Sequence, residues 1–168
     1  METANLEFRR LPDWRVEELM EEMDEIKRKR LVTELERRMG AGENIFYAEI
    51  PKEGAPGESV GVGSWRIRSW PRIEGTRESA GLVEISFVHV RPAYRGMGIG
   101  LAIVEEAIRQ AGEHFEKEGY GLRKVYALLS SGNDKGIEAY RNWGFIEEAV
   151  MSRHFSDEFD TIMMTRFL

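Results

Sequence analysis

Three glycines at alternate positions stand between an arginine and an apolar run in the segment Arg95–Gly100, which reads RGMGIG. Because glycine has no side chain, such a cluster lets a ligand approach the backbone closely. The apolar run predicts a helix, and the first amides of a helix lack intrahelical partners and favour negative charge. The segment therefore predicts a phosphate-binding turn to which Arg95 adds a charged contact. The structural alternative is a tight turn that only permits close packing of the helix on a sheet.

The spacing of these glycines excludes two common phosphate motifs. A dinucleotide-binding fold has the pattern G-x-G-x-x-G and an acidic residue about twenty positions further on. Here the spacing is G-x-G-x-G, and the next predicted strand ends in the acid-free segment Leu128–Ser131. A P-loop ends in Gly-Lys-Ser or Gly-Lys-Thr, and Arg95–Gly100 has no such ending. Both motifs therefore fail on spacing.

Hydrophobic periodicity predicts the elements that must position this turn. The order is strand, long helix, three strands, helix, strand, helix and two strands, which favours an α/β fold with a mostly antiparallel sheet and one or two parallel crossovers. A turn-rich segment, Pro51–Glu58, joins the second and third strands. The predicted helices are Trp14–Met39, which is one long helix or two with a bend and has Asp13 as its cap, one starting after the glycines, and Asn133–Trp143. The predicted strands are Leu6–Leu11, Ile45–Ile50, Ser59–Trp70, Leu82–Val90, Lys124–Leu129, Phe145–Met151 and Phe159–Phe167.

Composition excludes several classes of protein. The 168 residues fit one domain, and no stretch reaches the roughly 18 unbroken apolar residues of a membrane span. A net charge of -6 disfavours nucleic acid as a partner and suits a cationic one. The sequence has no cysteine, which excludes disulfides, thiolate metal sites and a cysteine nucleophile. Without an apolar signal segment, we expect a cytoplasmic protein.

Two separated motifs resemble the GNAT superfamily of acetyl-CoA-dependent N-acetyltransferases. Arg95–Gly100 is similar to the family's R/Q-x-x-G-x-G/A signature, and Val88–Tyr94 resembles the strand and turn before it. Downstream, Asn133–Phe145 is similar to the N-x-x-A/G-x-x-x-Y-x-x-x-G-F segment. The resemblance implies a single domain over residues 1–168. Its expected fold is a mixed, mostly antiparallel central sheet with helices on both faces and a splayed pair of parallel strands.

The resemblance also implies a donor site for acetyl-CoA and no metal. The pyrophosphate would lie on the glycine-loop amides, and the pantetheine arm would pair like an added strand with the strand before the loop. Asn133 matches a position that bonds the cofactor, although Asn also favours a helix N-cap, and both roles are compatible. The implied cofactor-binding residues are Val88, His89, Val90, Arg95, Gly96, Met97, Gly98, Ile99, Gly100, Leu101 and Asn133.

Two catalytic residues follow from the resemblance. Tyr140 matches the tyrosine that protonates the departing thiolate, with a place in the apolar core as its structural alternative. Glu84 resembles the catalytic glutamate of the histone-acetylating branch, with a salt-bridge partner or exposed strand residue as the alternative and a water-relayed base as its rival. His89 has a suitable ordinary pKa, but strand alternation places it opposite Glu84 unless a bulge intervenes. His154 lies in the Met151–Glu158 loop, which in the family borders the acceptor.

The expected function is transfer of an acetyl group from acetyl-CoA to a primary amine by direct attack in a ternary complex. A protein N-terminus, a lysine, a polyamine and a small amine all remain open as acceptors. The lack of cysteine favours the direct route over a thioester intermediate. The alternative is a non-catalytic acyl-CoA sensor of the same fold. A homodimer is possible, and neither nucleic acid nor membrane is expected as a partner.

Overall fold

The computed structural model describes residues 6–12, 16, 19, 25–69 and 80–168. Most of the first half of the predicted helix Trp14–Met39, with its cap Asp13, lies outside the described residues, as does the end of the predicted strand at Trp70. Within the described ranges, no helix is long and apolar enough to cross a membrane. The strands are β1 (Glu7–Arg10), β2 (Asn44–Lys52), β3 (Ala55–Ser69), β4 (Ala80–Val90), β5 (Gly121–Ser130), β6 (Ile146–Met151) and β7 (Thr161–Phe167), and the helices are α1 (Glu25–Gly40), α2 (Ile99–Lys117) and α3 (Asp134–Asn142).

The described strands form a sheet in the order β1-β2-β3-β4-β5-β7-β6. The pairs β1–β2, β2–β3, β5–β7 and β6–β7 are antiparallel, whereas β4 and β5 are parallel. The parallel pairing runs from Ala80–Gly121 to Glu84–Tyr126 and stops there, although β4 continues to Val90. This confirms the predicted mixed, mostly antiparallel sheet with a splayed parallel pair.

Contacts divide the chain into two compact units, each built from two separated segments. The first unit comprises Met1–Trp65 and Phe87–Ala107, and the second comprises Arg66–Ser86 and Ile108–Leu168. The strands β3 and β4 and the helix α2 each pass from one unit into the other along the chain. A single domain over residues 1–168 stays a prediction.

In the first unit, successive residues of β3 face opposite sides of the sheet, and each side is covered by a different helix. Val62 belongs to a buried cluster with Leu35 of α1. On the opposite face, a Cβ at Gly61 would lie 2.7 Å from Ile103 Cδ1 of α2 and 2.8 Å from the His89 carbonyl oxygen. Glycine at this position therefore lets α2 and β4 approach β3 closely. Because β-strand side chains alternate between faces, α1 and α2 cover opposite faces of this strand.

The connection between β2 and β3 is shorter than the sequence indicated. The two strands remain paired as far as Lys52 and Ala55, so the turn lies within the predicted segment Pro51–Glu58 but is confined to Glu53 and Gly54. Gly54 has a φ of +70°, which glycine adopts without strain and which allows the chain to reverse between these strands. Glu58 consequently lies within β3, where it pairs with Ile50 of β2.

In the second unit, the carboxyl-terminal part of α2 packs on β4. Phe115 is fully buried, and a Cβ at Gly81 would lie 2.5 Å from its ring. The helix α3 ends at Asn142, and Gly144 just beyond it has a φ of +83°, the left-handed conformation in which glycine commonly terminates a helix.

Candidate active site

The glycine segment forms an open loop between β4 and α2. A short 3₁₀ turn over Pro92–Tyr94 follows β4, and the helix begins at Ile99. Gly96 and Gly98 have φ values of +78° and +79°, a region that side chains disfavour. A Cβ at Gly96 would meet no heavy atom within 4 Å, so glycine there serves the backbone conformation rather than packing.

The start of α2 offers amide groups to a ligand. The first helical hydrogen bond joins the Ala102 N–H to the Gly98 carbonyl at 3.1 Å. The amides of Ile99, Gly100 and Leu101 therefore precede the helical ladder, and the helix dipole adds positive potential there. This geometry fits a pyrophosphate group.

Arg95 contacts the end of the preceding strand. Its Nε donates a hydrogen bond to the Val90 carbonyl at 3.1 Å, and its side chain is exposed. Val90 and Val88 are half-buried residues of β4 beyond the last β4–β5 pair. The backbone predicted to pair with pantetheine is thus the part of β4 that has parted from β5.

His89 lies among these residues as a mostly buried imidazole. Its ring stacks on Phe87 with centroids 6.4 Å apart, and its buried Nε2 has no hydrogen-bond partner among the described residues. Burial and then the charge of Arg95 lower the pKa of His89 from 6.5 to about 4. An imidazole with so low a pKa is neutral at pH 7 and a weak base.

The lowered pKa of His89 predicts that the free energy of unfolding depends on pH. Between pH 6.5 and about 4 the unfolded chain takes up a proton at His89 and the folded chain does not. Stability is therefore lost as pH falls, by about 3 kcal/mol over this window, since each pKa unit is worth about 1.4 kcal/mol. Chemical denaturation from pH 7 to pH 4 should show a shallower decline in His89→Gln than in the wild type. The exposed His154→Gln serves as control, and equal slopes in His89→Gln and wild type would contradict the prediction.

Glu84 lies in the second unit, where it is only 5% exposed. Its carboxylate accepts hydrogen bonds from Arg66 Nη2 at 2.9 Å, Arg66 Nε at 3.3 Å and Arg68 Nε. The Tyr126 hydroxyl donates a further bond at 3.3 Å. Burial acts to raise the pKa of Glu84, but the hydrogen bonds and charges of the two arginines outweigh it, so that this pKa lies below its usual value.

The contacts of Glu84 with Arg66 and Arg68, here called the Glu84 cluster, affect its strength as a base. A carboxylate that holds two guanidinium groups is a weaker base than a free glutamate, and its place in a salt bridge is what the structure describes. Its service as a base stays a prediction. Sequence reasoning missed Arg66, Arg68 and Tyr126. The segment W-R-I-R carried a signal, because residues two apart in a strand share a face.

Asn133 caps the helix α3, as predicted. Its Oδ1 accepts a hydrogen bond from the Gly136 N–H at 3.1 Å. A Cβ at Gly136 would lie 2.4 Å from Asn133 Nδ2, so glycine leaves room for the capping side chain. The contact of Asn133 with a cofactor stays a prediction.

Tyr140 projects from α3 into an aromatic group. It is 7% exposed, and its ring centroid lies 5.0 Å from those of both Trp143 and Phe145. Burial raises the pKa of the Tyr140 phenol well above its ordinary value, so that it keeps its proton at neutral pH. This environment suits a core aromatic residue and also a proton donor.

The predicted residues are shared between the two units. The glycine loop, Val88, His89 and Val90 belong to the first, whereas Glu84, Asn133 and Tyr140 belong to the second. His154, in the loop before β7, stacks edge-on against Phe155 with centroids 4.3 Å apart, and both are exposed.

Comparison with known proteins decides the family. The sequence matches the acetyltransferase (GNAT) family model over residues 8–145. The chain belongs to the GNAT family. A GNAT relative from Pseudomonas paraeruginosa, an L-methionine sulfoximine/L-methionine sulfone acetyltransferase, is 33% identical over 99 residues, 59% of this chain and 51% of its own. An N-alpha-acetyltransferase from Sulfurisphaera tokodaii is 29% identical over 77 residues, 46% of this chain and 43% of its own.

These matches take in about half the length of the relatives. The GNAT fold itself is supported over nearly the whole chain by Arabidopsis thaliana NAA60, solved in complex with acetyl-CoA. Its structure has a TM-score of 0.67 at 17% identity and covers 97% of this chain and 99% of its own. Such a likeness establishes the predicted GNAT-type fold.

Proposed function

We propose that this GNAT chain transfers an acetyl group from acetyl-CoA to a primary amine by direct attack. The observation that carries the proposal is the open loop Arg95–Gly98, whose left-handed glycines lead into the amides at the start of α2. These amides would hold the pyrophosphate, and the backbone of Val88 and Val90 would hold the pantetheine arm. Acetyl-CoA, when bound, supplies an acyl group activated as a thioester.

Two residues of the second unit, Tyr140 and Glu84, would carry out the proton transfers of the reaction. The Tyr140 Oη holds a proton at neutral pH, because burial raises its pKa. It can donate a hydrogen bond or that proton where negative charge develops on the leaving sulfur. A lysine-like amine, with a pKa of about 10.4, must lose a proton before it attacks. Glu84 would take this proton directly or through water, and its lowered pKa makes it a weak base on either route.

Two acceptor classes are suggested by the relatives, namely a small amino acid and a protein N-terminus. The Arg68 guanidinium beside Glu84 favours the first. The Arg68 side chain is 40% exposed, so it can meet an acceptor. A carboxylate beside the reacting amine would bind this guanidinium. A cytoplasmic location stays an expectation from the sequence.

A binding and turnover experiment tests the function. Coenzyme A or acetyl-CoA at about 100 times its Kd should raise the melting temperature by roughly 8 °C, since binding to the folded state stabilises it. Release of coenzyme A should then follow addition of an amine from a panel that includes methionine sulfone, its methyl ester and an N-terminal peptide. Because the chain has no cysteine, a thiol reagent reads only the released coenzyme A.

The outcomes separate the alternatives. The absence of any thermal shift with either ligand would contradict the proposal. Binding without thiol release for every amine would support the acyl-CoA sensor. Faster turnover of methionine sulfone than of its methyl ester supports the amino acid, and preference for the peptide supports the N-terminus.

A further inference from the structure

A buried arginine joins the end of β4 to the start of β3 in the first unit. Arg91 is 7% exposed, and its Nη1 donates a hydrogen bond to the Ser59 carbonyl at 2.9 Å. Its backbone N–H donates to the Val60 carbonyl at 3.0 Å. The point at which β4 gives way to the turn before the glycine loop is therefore fixed on β3.

Glu58, in β3, binds both Arg91 and Tyr94 at the end of β4 and in the turn that follows it. The Tyr94 hydroxyl donates a hydrogen bond to its Oε1, and Arg91 Nη1 lies 3.6 Å from the same oxygen. Lys52 Nζ lies 3.0 Å from its Oε2, and the Arg91 guanidinium lies 5.5 Å from the Tyr94 ring centroid. The hydrogen bond from Tyr94, followed by that from Lys52, lowers the pKa of Glu58. The carboxylate is thus ionised at neutral pH and surrounded by donors.

Tyr94 is the last residue before the glycine loop Arg95–Gly98, so its contacts fix one end of that loop. The residues from Arg95 to Gly98 are exposed, and the next buried side chain is Ile99, at 2% exposure. Glycine gives this loop more backbone freedom than any other residue would. The direction of its amides therefore depends on how firmly its two ends are held.

We propose that Glu58 is a positioning residue for coenzyme A. Through Tyr94 and Arg91 it holds the turn Pro92–Tyr94, and thereby the loop amides that would receive the pyrophosphate. The inference rests on the proposed function, because it needs coenzyme A as the ligand of the loop.

The sign of the effect distinguishes positioning from simple electrostatics. Glu58 and coenzyme A are both negatively charged, so removing the charge of Glu58 should strengthen binding if long-range repulsion is its main influence. Loss of an anchor should weaken binding instead, because the loop must then be ordered at the expense of binding free energy. The two accounts predict opposite changes in Kd.

The test is the Kd of coenzyme A, measured by calorimetry for the wild type, Glu58→Gln, Tyr94→Phe and the double variant. Each single variant is expected to bind about tenfold more weakly, the size of effect that follows from losing a hydrogen bond to a charged group. The double variant should be no weaker than the weaker single one, because both substitutions remove the same charge-assisted bond between the Tyr94 hydroxyl and Glu58. At saturating acetyl-CoA, kcat should stay within about twofold of the wild type, so that the change appears in KM.

Glu53→Gln is the matched control, because it removes an exposed negative charge from the turn just before β3. It should leave the Kd unchanged or lower it. Tyr94→Phe removes a single hydroxyl, and an unchanged melting temperature without ligand shows that it folds. Unchanged or tighter binding in both single variants would overturn this inference alone. A wild type that binds no coenzyme A would overturn the proposed function and this inference with it.

Discussion

Replacing Tyr140 by phenylalanine is expected to lower kcat by about 10²- to 10³-fold while the Kd of coenzyme A stays within about twofold. The phenol is buried and protonated, and a phenyl ring keeps the packing against Trp143 and Phe145 while losing the acidic hydrogen. A thiol has an ordinary pKa of about 8.5, which lies below that of the Tyr140 phenol. The hydroxyl should therefore act mainly by donating a strong hydrogen bond to the leaving sulfur.

Steady-state kinetics with a responsive amine measure this effect. Tyr120→Phe removes the same hydroxyl from a half-buried tyrosine outside the proposed site and should leave kcat unchanged. The melting temperature of Tyr140→Phe, taken without ligand, reports whether the aromatic group has been disturbed. Wild-type kcat in a folded Tyr140→Phe protein would assign this tyrosine to the core alone.

Replacing Glu84 by glutamine is expected to lower the free energy of unfolding by about 2 kcal/mol. The substitution leaves Arg66 and Arg68 together without the carboxylate that both bind. Removing one partner of a buried ion pair costs more than this, but both arginines are partly exposed and solvent screens them. The stabilisation is present above the ordinary glutamate pKa of about 4.3 and is lost as pH falls through the lowered pKa of the folded state.

The double variant Glu84→Gln with Arg68→Gln separates the two roles of this residue. Removing one arginine restores the balance of charge, so it should recover more than half of the lost stability. The proposal that Glu84 takes the amine proton requires turnover in this double variant to stay lower than in Arg68→Gln alone. Recovery of turnover together with stability would leave Glu84 a salt-bridge partner only. Glu118→Gln, at an exposed position, controls for the loss of one negative charge.

Features that depend on neighbouring residues could be predicted from the sequence. The cap of α3 by Asn133 and the left-handed Gly144 at its end follow from local backbone chemistry. The open loop before α2 likewise follows from the spacing of its glycines. Apolar periodicity located the strands and helices of the described residues, with ends that differ by a few positions.

Features that depend on distant residues could not be predicted in this way. Arg66 and Arg68 meet Glu84 across 18 and 16 positions of sequence, and Tyr94 meets Glu58 across 36. Each contact requires the register of β3, which a sequence pattern leaves open. The predicted loop over Pro51–Glu58 also placed Glu58 outside a strand, and this concealed its relation to the turn before the glycines.

The hydrogen bond from Arg95 Nε to the Val90 carbonyl, at 3.1 Å, bears on how a spent cofactor would leave. If the pantetheine arm pairs with this carbonyl, as we propose, the arginine and the ligand exchange places on one acceptor. When coenzyme A leaves, the Arg95 guanidinium would replace it as the hydrogen-bond donor to the Val90 carbonyl. This exchange stabilises the vacated state and would weaken the binding of coenzyme A. In enzymes whose turnover is limited by product release, such a substitute partner favours the next catalytic cycle.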